Sequence, residues 1–108
     1  MSESPHPVFA RRLAEARKRA GLSQAQLGAL AGMEPDVASP RVNQYERGVH
    51  EPRAETVRKL AEALGVPPAF LYTEDEILAK LLLHWNGLSK AQKRELLKLA
   101  EQPTVAGK

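Results

Sequence analysis

Between Ser39 and Arg53 the chain holds a cluster of side chains suited to specific hydrogen bonding. Asn43 and Gln44 each carry an amide, which presents a hydrogen-bond donor beside an acceptor. This arrangement matches the N6 and N7 atoms that adenine exposes in the major groove of DNA. Asn and Gln are also common on the solvent-exposed face of a helix, where they contact only water. The residue types alone therefore do not decide between base recognition and an exposed polar helix face.

One helix is predicted directly before this cluster. Ser23 and Gln26 have the spacing of a capping box, in which each side chain satisfies a backbone N–H that the first helical turn leaves unpaired. A helix is therefore expected to begin at Gln24 and to end at Gly32. Gly28 is small enough to let another helix cross closely. The apolar stripe that this helix would bury consists of Leu27, Leu30 and Ala31.

A second helix is predicted to carry the two amides. Ser39 is a capping residue and Pro40 has the fixed φ that suits a first helical position, so the helix is expected to begin there. Val42 and Tyr45 lie three residues apart and would face inward, and Gly48 would end the helix. The residues left on its outward face are Arg41, Asn43, Gln44 and Arg47.

Together the two helices resemble the helix-turn-helix of phage-repressor-like (XRE-type, Cro/repressor) DNA-binding proteins, over roughly residues 8–72. The matching residues are Gln24, Leu27, Gly28, Gly32, Met33, Val42, Tyr45, Glu46, Gly48 and Pro52, followed by LAEALGV at 60–66. In the family about four residues separate the positions of Met33 and Val42, whereas residues 34–41 number eight here. We therefore expect an insertion of about one helical turn between the two helices.

The resemblance assigns roles to particular side chains. Arg17 is implied to pair with Glu46, tying the first helix of the chain to the recognition helix. Residues expected to read bases are Ser39, Arg41, Asn43 and Gln44. Residues expected to hold phosphate are Ser23 and Gln24, at a positive helix end, and Arg47, His50 and Arg53. The alternative for Arg53 is insertion into a narrow minor groove.

Two acidic residues, Glu34 and Asp36, lie in the inserted segment. A carboxylate close to phosphate is repelled, so we expect this segment to turn away from DNA. The alternative is that one of the acids accepts a hydrogen bond from cytosine N4.

Composition limits the remaining possibilities. A chain of 108 residues is expected to form one small domain, and without cysteine it has neither disulfides nor thiolate metal ligands. The net charge of +3 permits nucleic-acid binding without indicating it. His6, His50 and His84 are scattered without ligand spacing, and no nucleophile motif or phosphate-binding glycine loop is present. We therefore expect a cytoplasmic protein that is not an enzyme and has no metal or cofactor.

The first helix is predicted over residues 8–20 and is unusually basic. Its apolar positions repeat with helical spacing, and the remaining surface is expected to carry Arg11, Arg12, Arg17, Lys18 and Arg19. Apart from Arg17, these cations are either a solvated face or phosphate contacts. Residues 1–7 are expected to be a disordered lead-in. A scaffold helix over residues 54–64 and a short helix carrying Phe70 and Leu71 would complete the unit.

The C-terminal third predicts a helical hairpin over residues 73–102, followed by a flexible tail at 103–108. Thr73 with Glu76, and Ser89 with Gln92, have capping-box spacing. The hairpin has more apolar surface than it can bury within itself, which indicates a dimer interface. The residues expected there are Leu81, Leu82, Trp85, Leu96 and Leu97. The alternative is that the hairpin packs onto its own domain.

The predicted fold is therefore all-α, a lambda-repressor-like DNA-binding domain of about five helices with a C-terminal two-helix extension. By resemblance, the expected function is a sequence-specific transcriptional regulator, a repressor that binds a near-palindromic double-stranded operator as a homodimer. Two alternatives remain open. One is an antitoxin or restriction-system controller that represses its own operon, and the other is a helical adaptor that does not read DNA.

Overall fold

The computed structural model describes residues 6–103, and all its regular structure in that range is helical. The elements are α1 (Pro7–Arg19), α2 (Gln24–Leu30), α3 (Pro35–Glu46), α4 (Ala54–Leu64), a 3₁₀ helix (Pro68–Tyr72), α5 (Glu76–Trp85) and α6 (Lys90–Glu101). This order confirms the predicted all-α, lambda-repressor-like unit followed by two further helices. Most of the expected lead-in and tail, residues 1–5 and 104–108, lies outside the described residues.

A single core joins the five elements of residues 7–72, which we call the N-terminal unit. Each element contributes at least one fully buried side chain, at 0–1% exposure, and examples are Leu13, Leu27, Val42, Leu60 and Phe70. Burying a side chain of this size stabilises a fold by roughly 1.5–3 kcal/mol. Because α3 contributes Val42 and Tyr45 to this core, its outward face is held in a fixed orientation.

Helices α2 and α3 cross at Gly28, as the sequence predicts. A Cβ atom added to Gly28 would lie 2.5 Å from the Cβ of Ala38, closer than real Cβ atoms approach one another. The two helices can therefore pack at this distance only because residue 28 has no side chain.

Helix α3 begins earlier than the sequence predicts. Its N-cap is Glu34, and Pro35 occupies the first helical position, so the predicted start at Ser39 and Pro40 is wrong. Pro40 lies inside the helix, where it lacks the N–H that would bond the carbonyl four residues before it. Packing outweighs that loss, since Ala38 and Val42 on either side of it are buried. The inserted residues therefore lengthen α3 by about one turn instead of widening the turn before it.

The two C-terminal helices differ in how they are held. Helix α5 buries Ala79 against the core, with Leu82 and Leu83 partly buried beside it, whereas α6 contains no buried residue. We call α5 and α6 together the C-terminal helix pair. Helix α5 therefore packs in part onto the N-terminal unit, whereas α6 buries none of its residues.

One of the two capping boxes predicted here is absent. Asp75, not Thr73, caps α5, and its carboxylate accepts from the backbone N–H of Leu78 at 2.9 Å. The Thr73 hydroxyl instead donates to the carbonyl of Ala69 at 2.6 Å, at the end of the 3₁₀ helix. The capping box of Ser89 at the start of α6 is confirmed. Within the described range no helix is long and apolar enough to cross a membrane.

Candidate nucleic-acid interface

Helix α3 is tied to α1 by an ion pair. Arg17 Nε donates to Glu46 Oε2 at 2.5 Å and Arg17 Nη2 donates to Glu46 Oε1 at 3.1 Å, a bidentate geometry. Arg17 also donates to the carbonyl of Leu22 at 2.9 Å. The two side chains are only 13% and 8% exposed, and the bond to Glu46 raises the pKa of Arg17. The predicted partners therefore meet, with a geometry that fixes the end of α3.

Gln24 joins this ion pair from the start of α2. Its Nε2 donates to Glu46 Oε1 at 3.0 Å and to Asn43 Oδ1 at 3.2 Å. Both amide hydrogens of Gln24 are thereby used inside the protein, leaving its amide oxygen and the helix N-terminus for a ligand. The sequence predicted Gln24 only as a phosphate contact, so its role in positioning α3 is new.

The two candidate base-reading amides occupy different environments. Asn43 is half-buried and its Oδ1 accepts from Gln24, which fixes the orientation of its amide. Gln44 is exposed, and no hydrogen bond of its side chain occurs among the described residues. Gln44 is therefore the amide that can rotate to meet a ligand, whereas Asn43 is oriented by the protein.

A cleft of about 420 Å³ lies beside the exposed face of α3. Its lining includes four of the predicted contact residues, Arg41, Gln44, His50 and Arg53. It does not include Ser23, Gln24, Ser39, Asn43 or Arg47. Arg47 is exposed at the C-cap of α3 and Ser39 is half-buried within the helix. The fold thus brings base-reading and phosphate-binding candidates from α3 and the following loop to one concave surface.

One carboxylate on this surface is already engaged. Glu51 contacts His6 Nδ1 at 3.2 Å and accepts from the Tyr72 hydroxyl at 3.4 Å. Burial, together with the charge and hydrogen bond of Glu51, raises the pKa of Tyr72. These contacts connect the loop after α3 to the first and last elements of the N-terminal unit.

The start of α2 has the geometry predicted for it. Ser23 Oγ accepts from the backbone N–H of Gln26 at 3.0 Å, and Gln26 Oε1 accepts from the backbone N–H of Ser23 at 2.8 Å. Glu34 and Asp36 lie at the N-cap and first turn of α3, where the helix dipole favours negative charge. Stabilisation of the helix start therefore explains these two carboxylates without any contact to a ligand.

The structure corrects the prediction for Arg12, which was placed on the exposed basic face of α1. Its residue exposure is 1%, and it contacts the backbone that follows the 3₁₀ helix. A signal was present in the sequence, because residue 12 falls between Phe9 and Ala16 at the i+3 position of the buried stripe.

The residues predicted for a dimer interface lie along the C-terminal helix pair. Leu81 is 38% exposed and Leu97 is 58% exposed, while Leu82, Trp85 and Leu96 are half-buried. A second cleft, of about 390 Å³, runs between α5 and α6 and is lined by Leu81, His84, Leu88, Gln92, Glu95 and Leu96. These residues surround an open apolar groove and do not form a closed core.

Comparison with known proteins assigns this arrangement to a family. The family described as helix-turn-helix matches residues 13–71, which include α2, α3 and all the contacts that hold α3 in place. The chain belongs to the helix-turn-helix family. No curated protein matches the chain significantly.

A solved structure is similar over nearly the whole chain. The crystal structure of transcriptional regulator BswR shares 45% sequence identity, with a TM-score of 0.82. The match covers 92% of this chain and 98% of that one. It therefore extends beyond the helix-turn-helix into the C-terminal helix pair.

Proposed function

We propose that this helix-turn-helix protein is a sequence-specific, double-stranded DNA-binding transcriptional regulator that acts as a repressor in the cytoplasm. The observation that carries the proposal is the fixed presentation of α3. Arg17 and Gln24 hold its inner side, and its outer side shows exposed Arg41, Gln44 and Arg47. The similarity to transcriptional regulator BswR supports the same function.

Within this proposal, Gln44 and Arg41 read bases. Both are exposed on α3 and line one cleft, and their side chains suit adenine and guanine edges respectively. Asn43 contributes its free amide hydrogens, since its oxygen is oriented by Gln24. Ser39, half-buried one turn inside α3, stands at the edge of this reading surface.

Phosphate binding is assigned to residues on both sides of α3. His50 and Arg53 line the same cleft as Gln44, and Arg47 is exposed at the end of the helix. At the α2 terminus, Gln24 supplies a backbone N–H and Ser23 supplies its hydroxyl, because the backbone N–H of Ser23 is already bonded to Gln26. We place Glu34 and Asp36 away from the phosphate backbone, because carboxylates there would oppose binding.

Selection of bound duplexes from a random pool, followed by mobility shifts, tests this assignment. Gln44→Ala should lose discrimination at one or two base pairs, by about 1–3 kcal/mol, whereas Arg47→Ala should weaken all sequences alike. Affinity should fall steeply with salt, with a log–log slope of roughly −0.9 for each phosphate neutralised. Failure to bind any duplex, or an affinity that salt does not change, would contradict the proposal.

We further propose that the protein is a homodimer joined through the C-terminal helix pair and that it binds a near-palindromic operator. The exposed apolar residues of the pair are Ile77 at 82%, Leu78 at 46%, Leu81 at 38%, Leu97 at 58% and Leu99 at 65%. Helix α6 has 12 residues and buries none of them, and a helix of that length is marginal in water without packing. A second copy would cover this surface and would supply the two-fold symmetry that a palindrome requires.

Sedimentation at micromolar concentration tests the dimer with a matched pair of variants. Leu97→Gln should shift the protein toward the monomer, while Lys98→Gln, at the next position of α6, should leave the dimer unchanged. A wild-type protein that sediments as a monomer would contradict dimerisation through this surface.

A further inference from the structure

Arg12 is the one buried charged residue among residues 6–103. We propose that Arg12 is a positioning residue, which fixes the direction in which α5 leaves the N-terminal unit. In the homodimer proposed above, on which this second step rests, that direction sets the separation of the two recognition helices. Arg12 would thereby determine which spacing of operator half-sites the protein accepts, although it touches no DNA.

Every N–H of the Arg12 guanidinium has a partner. Nε donates to the carbonyl of Thr73 at 2.7 Å and Nη2 donates to the carbonyl of Glu74 at 3.0 Å. Nη1 donates to Glu15 at 3.0 Å, and both terminal nitrogens lie 3.3 Å from carboxylate oxygens of Glu76. These bonds use the five donors that a guanidinium has. We call these five residues the Arg12 junction.

The junction holds the start of α5 at three points within four residues. Thr73 and Glu74 precede Asp75, the N-cap of α5, and Glu76 is the first residue of that helix. A planar guanidinium that bonds two carbonyls and a carboxylate specifies the orientation of the chain as well as its position. The guanidinium carbon of Arg12 also lies over the Phe70 ring, 5.8 Å from the ring centroid, in a cation–π contact.

Little else fixes the direction of the C-terminal helix pair. Helix α5 buries only Ala79, with Leu82 and Leu83 partly buried, and α6 buries nothing. Small apolar contacts of this kind hold a helix near a surface but permit it to pivot. The directional hydrogen bonds of the junction supply the constraint that these contacts lack.

The same bonds also keep the buried charge neutralised. Burial by itself would lower the pKa of Arg12, but hydrogen bonds to Glu15 and Glu76 outweigh it, and the pKa is raised. A lysine at this position would keep the charge but could not bond two carbonyls and a carboxylate in one plane. Arg12→Lys therefore separates the contribution of the planar guanidinium hydrogen bonds from the contribution of the positive charge.

On DNA, the direction of α5 has a defined geometric meaning. Adding one base pair between half-sites increases their separation by about 3.4 Å and rotates one relative to the other by about a tenth of a turn. A dimer with a rigid junction can bind only one half-site spacing, whereas a dimer with a flexible junction can bind several.

The first experiment needs neither DNA nor the dimer. Because the chain has no cysteine, Glu62→Cys in α4 and Lys98→Cys in α6 allow a pair of spin labels. With an excess of unlabelled chain, double electron–electron resonance reports the distance within one chain. Arg12→Lys should broaden that distance distribution, whereas Arg11→Lys should leave it close to wild type. Arg11 is the matched control because it is exposed and contacts Glu76 alone among these partners.

A second variant covers the case in which Arg12→Lys does not fold. Glu76 is 64% exposed on its side chain, so Glu76→Ala removes part of the junction without disturbing the core. It should broaden the distribution in the same sense but to a smaller extent. An unchanged distribution in the variants that fold, as judged by circular dichroism, would overturn the proposal.

The second experiment measures half-site spacing. Duplexes selected by the wild-type protein are altered by one base pair between the half-sites, and affinities are compared. Wild type should lose about tenfold or more for each altered duplex, and Arg12→Lys should lose less than about threefold while binding a single half-site as wild type does. Equal spacing preferences in wild type and Arg12→Lys would overturn the proposal. If wild type binds no duplex, the proposed function fails, and the spin-label distances still decide the role of Arg12.

Discussion

The N-terminal unit and the C-terminal helix pair bury their apolar residues to very different extents. All five elements of the unit place at least one side chain fully inside the core, including Leu13, Leu27 and Leu60 at 0% exposure. The helix pair buries Ala79 alone and leaves Ile77 at 82% and Leu99 at 65% exposure. Exposed apolar surface of this extent is typical of an interface, and this is the basis of the proposed dimer contact. The unit holds α3 through its own core, whereas the pair leaves most of its apolar surface exposed.

The hydrogen bonds and ion pairs of the side chains also differ between the two regions. In the unit, Arg17, Gln24 and Glu46 join three helices around the inner side of α3. Within the pair, the side-chain contacts are the caps at Asp75 and Ser89, together with a Lys93 ammonium 5.0 Å from the Trp85 ring. Its long-range bonds are those of Glu76, at the start of α5, to Arg11 and Arg12. The Arg12 junction connects these two regions.

The largest difference should appear on truncating one leucine in each region. Leu27→Ala removes a side chain with 0% exposure and should cost about 2–5 kcal/mol of unfolding free energy. Leu99→Ala, at 65% exposure, should change it by less than about 0.5 kcal/mol in dilute solution. Urea denaturation measures both. In the proposed dimer, the difference in unfolding free energy between wild type and the Leu99 variant should grow with protein concentration, because wild type then gains more stability from association. Equal costs for the two variants would remove the contrast between the regions.

Breaking the ion pair of the unit should be the next largest effect. Arg17→Ala or Glu46→Ala alone should each cost about 3 kcal/mol, since either change leaves a largely buried charge unpaired. The double variant should cost less than the sum, with a coupling of about 0.5–3 kcal/mol. Thermal or urea melts of the four proteins give the cycle. Additive costs would mean that the two side chains act independently.

Two glycines give a smaller and more local comparison. Gly28→Ala places a Cβ 2.5 Å from the Cβ of Ala38 and should cost about 1–3 kcal/mol, because α2 and α3 must move apart. Gly87, between α5 and α6, is the control, since the nearest atom to an added Cβ is a carbonyl oxygen at 3.6 Å. Gly87→Ala should therefore be tolerated or slightly stabilising. A Gly28 variant as stable as the Gly87 variant would show that the helices do not meet at residue 28.

The sequence predicts those features that depend on neighbours along the chain. The capping box at Ser23 follows from a spacing of three residues, and the close crossing at Gly28 follows from a small residue on an apolar face. The partnership of Arg17 with Glu46 spans 29 residues and came only from family resemblance. Sequence reasoning thus gives the elements and the orientation of α3.

Features that depend on distant parts of the chain were missed. Ser39 and Pro40 look like a helix start, but Glu34 and Pro35 offer an earlier one, and burial of Ala38 selects it. Arg12 looked solvated because all of its hydrogen-bond partners except Glu15 lie more than 60 residues away, at Thr73 and beyond. Local propensity cannot report such contacts, since they exist only after the chain has folded.

The smallest expected effect is that of the Glu76 carboxylate in the Arg12 junction, and a change of pH isolates it. Hydrogen bonds from Arg12 and then Arg11 hold the pKa of Glu76 below its ordinary value. A carboxyl whose folded pKa is depressed contributes stability above its unfolded pKa of about 4.3, and that contribution is lost as pH falls through the lower, folded value. The Arg12 junction should therefore stay intact in mild acid and loosen only as pH falls below about 4.

Glu76→Gln makes this loss measurable, because glutamine keeps the shape of the side chain but carries no charge at any pH. Wild type should be the more stable of the two at pH 7, and the difference should shrink as pH falls below about 4. Free energies of unfolding for both proteins between pH 3 and 7 give the comparison, and Glu101→Gln, near the end of α6, is a control at which no such convergence is expected. The width of the spin-label distance distribution should rise over the same range in wild type alone. A difference that stays constant with pH would mean that Glu76 contributes packing and not charge, and that acid leaves the two regions joined.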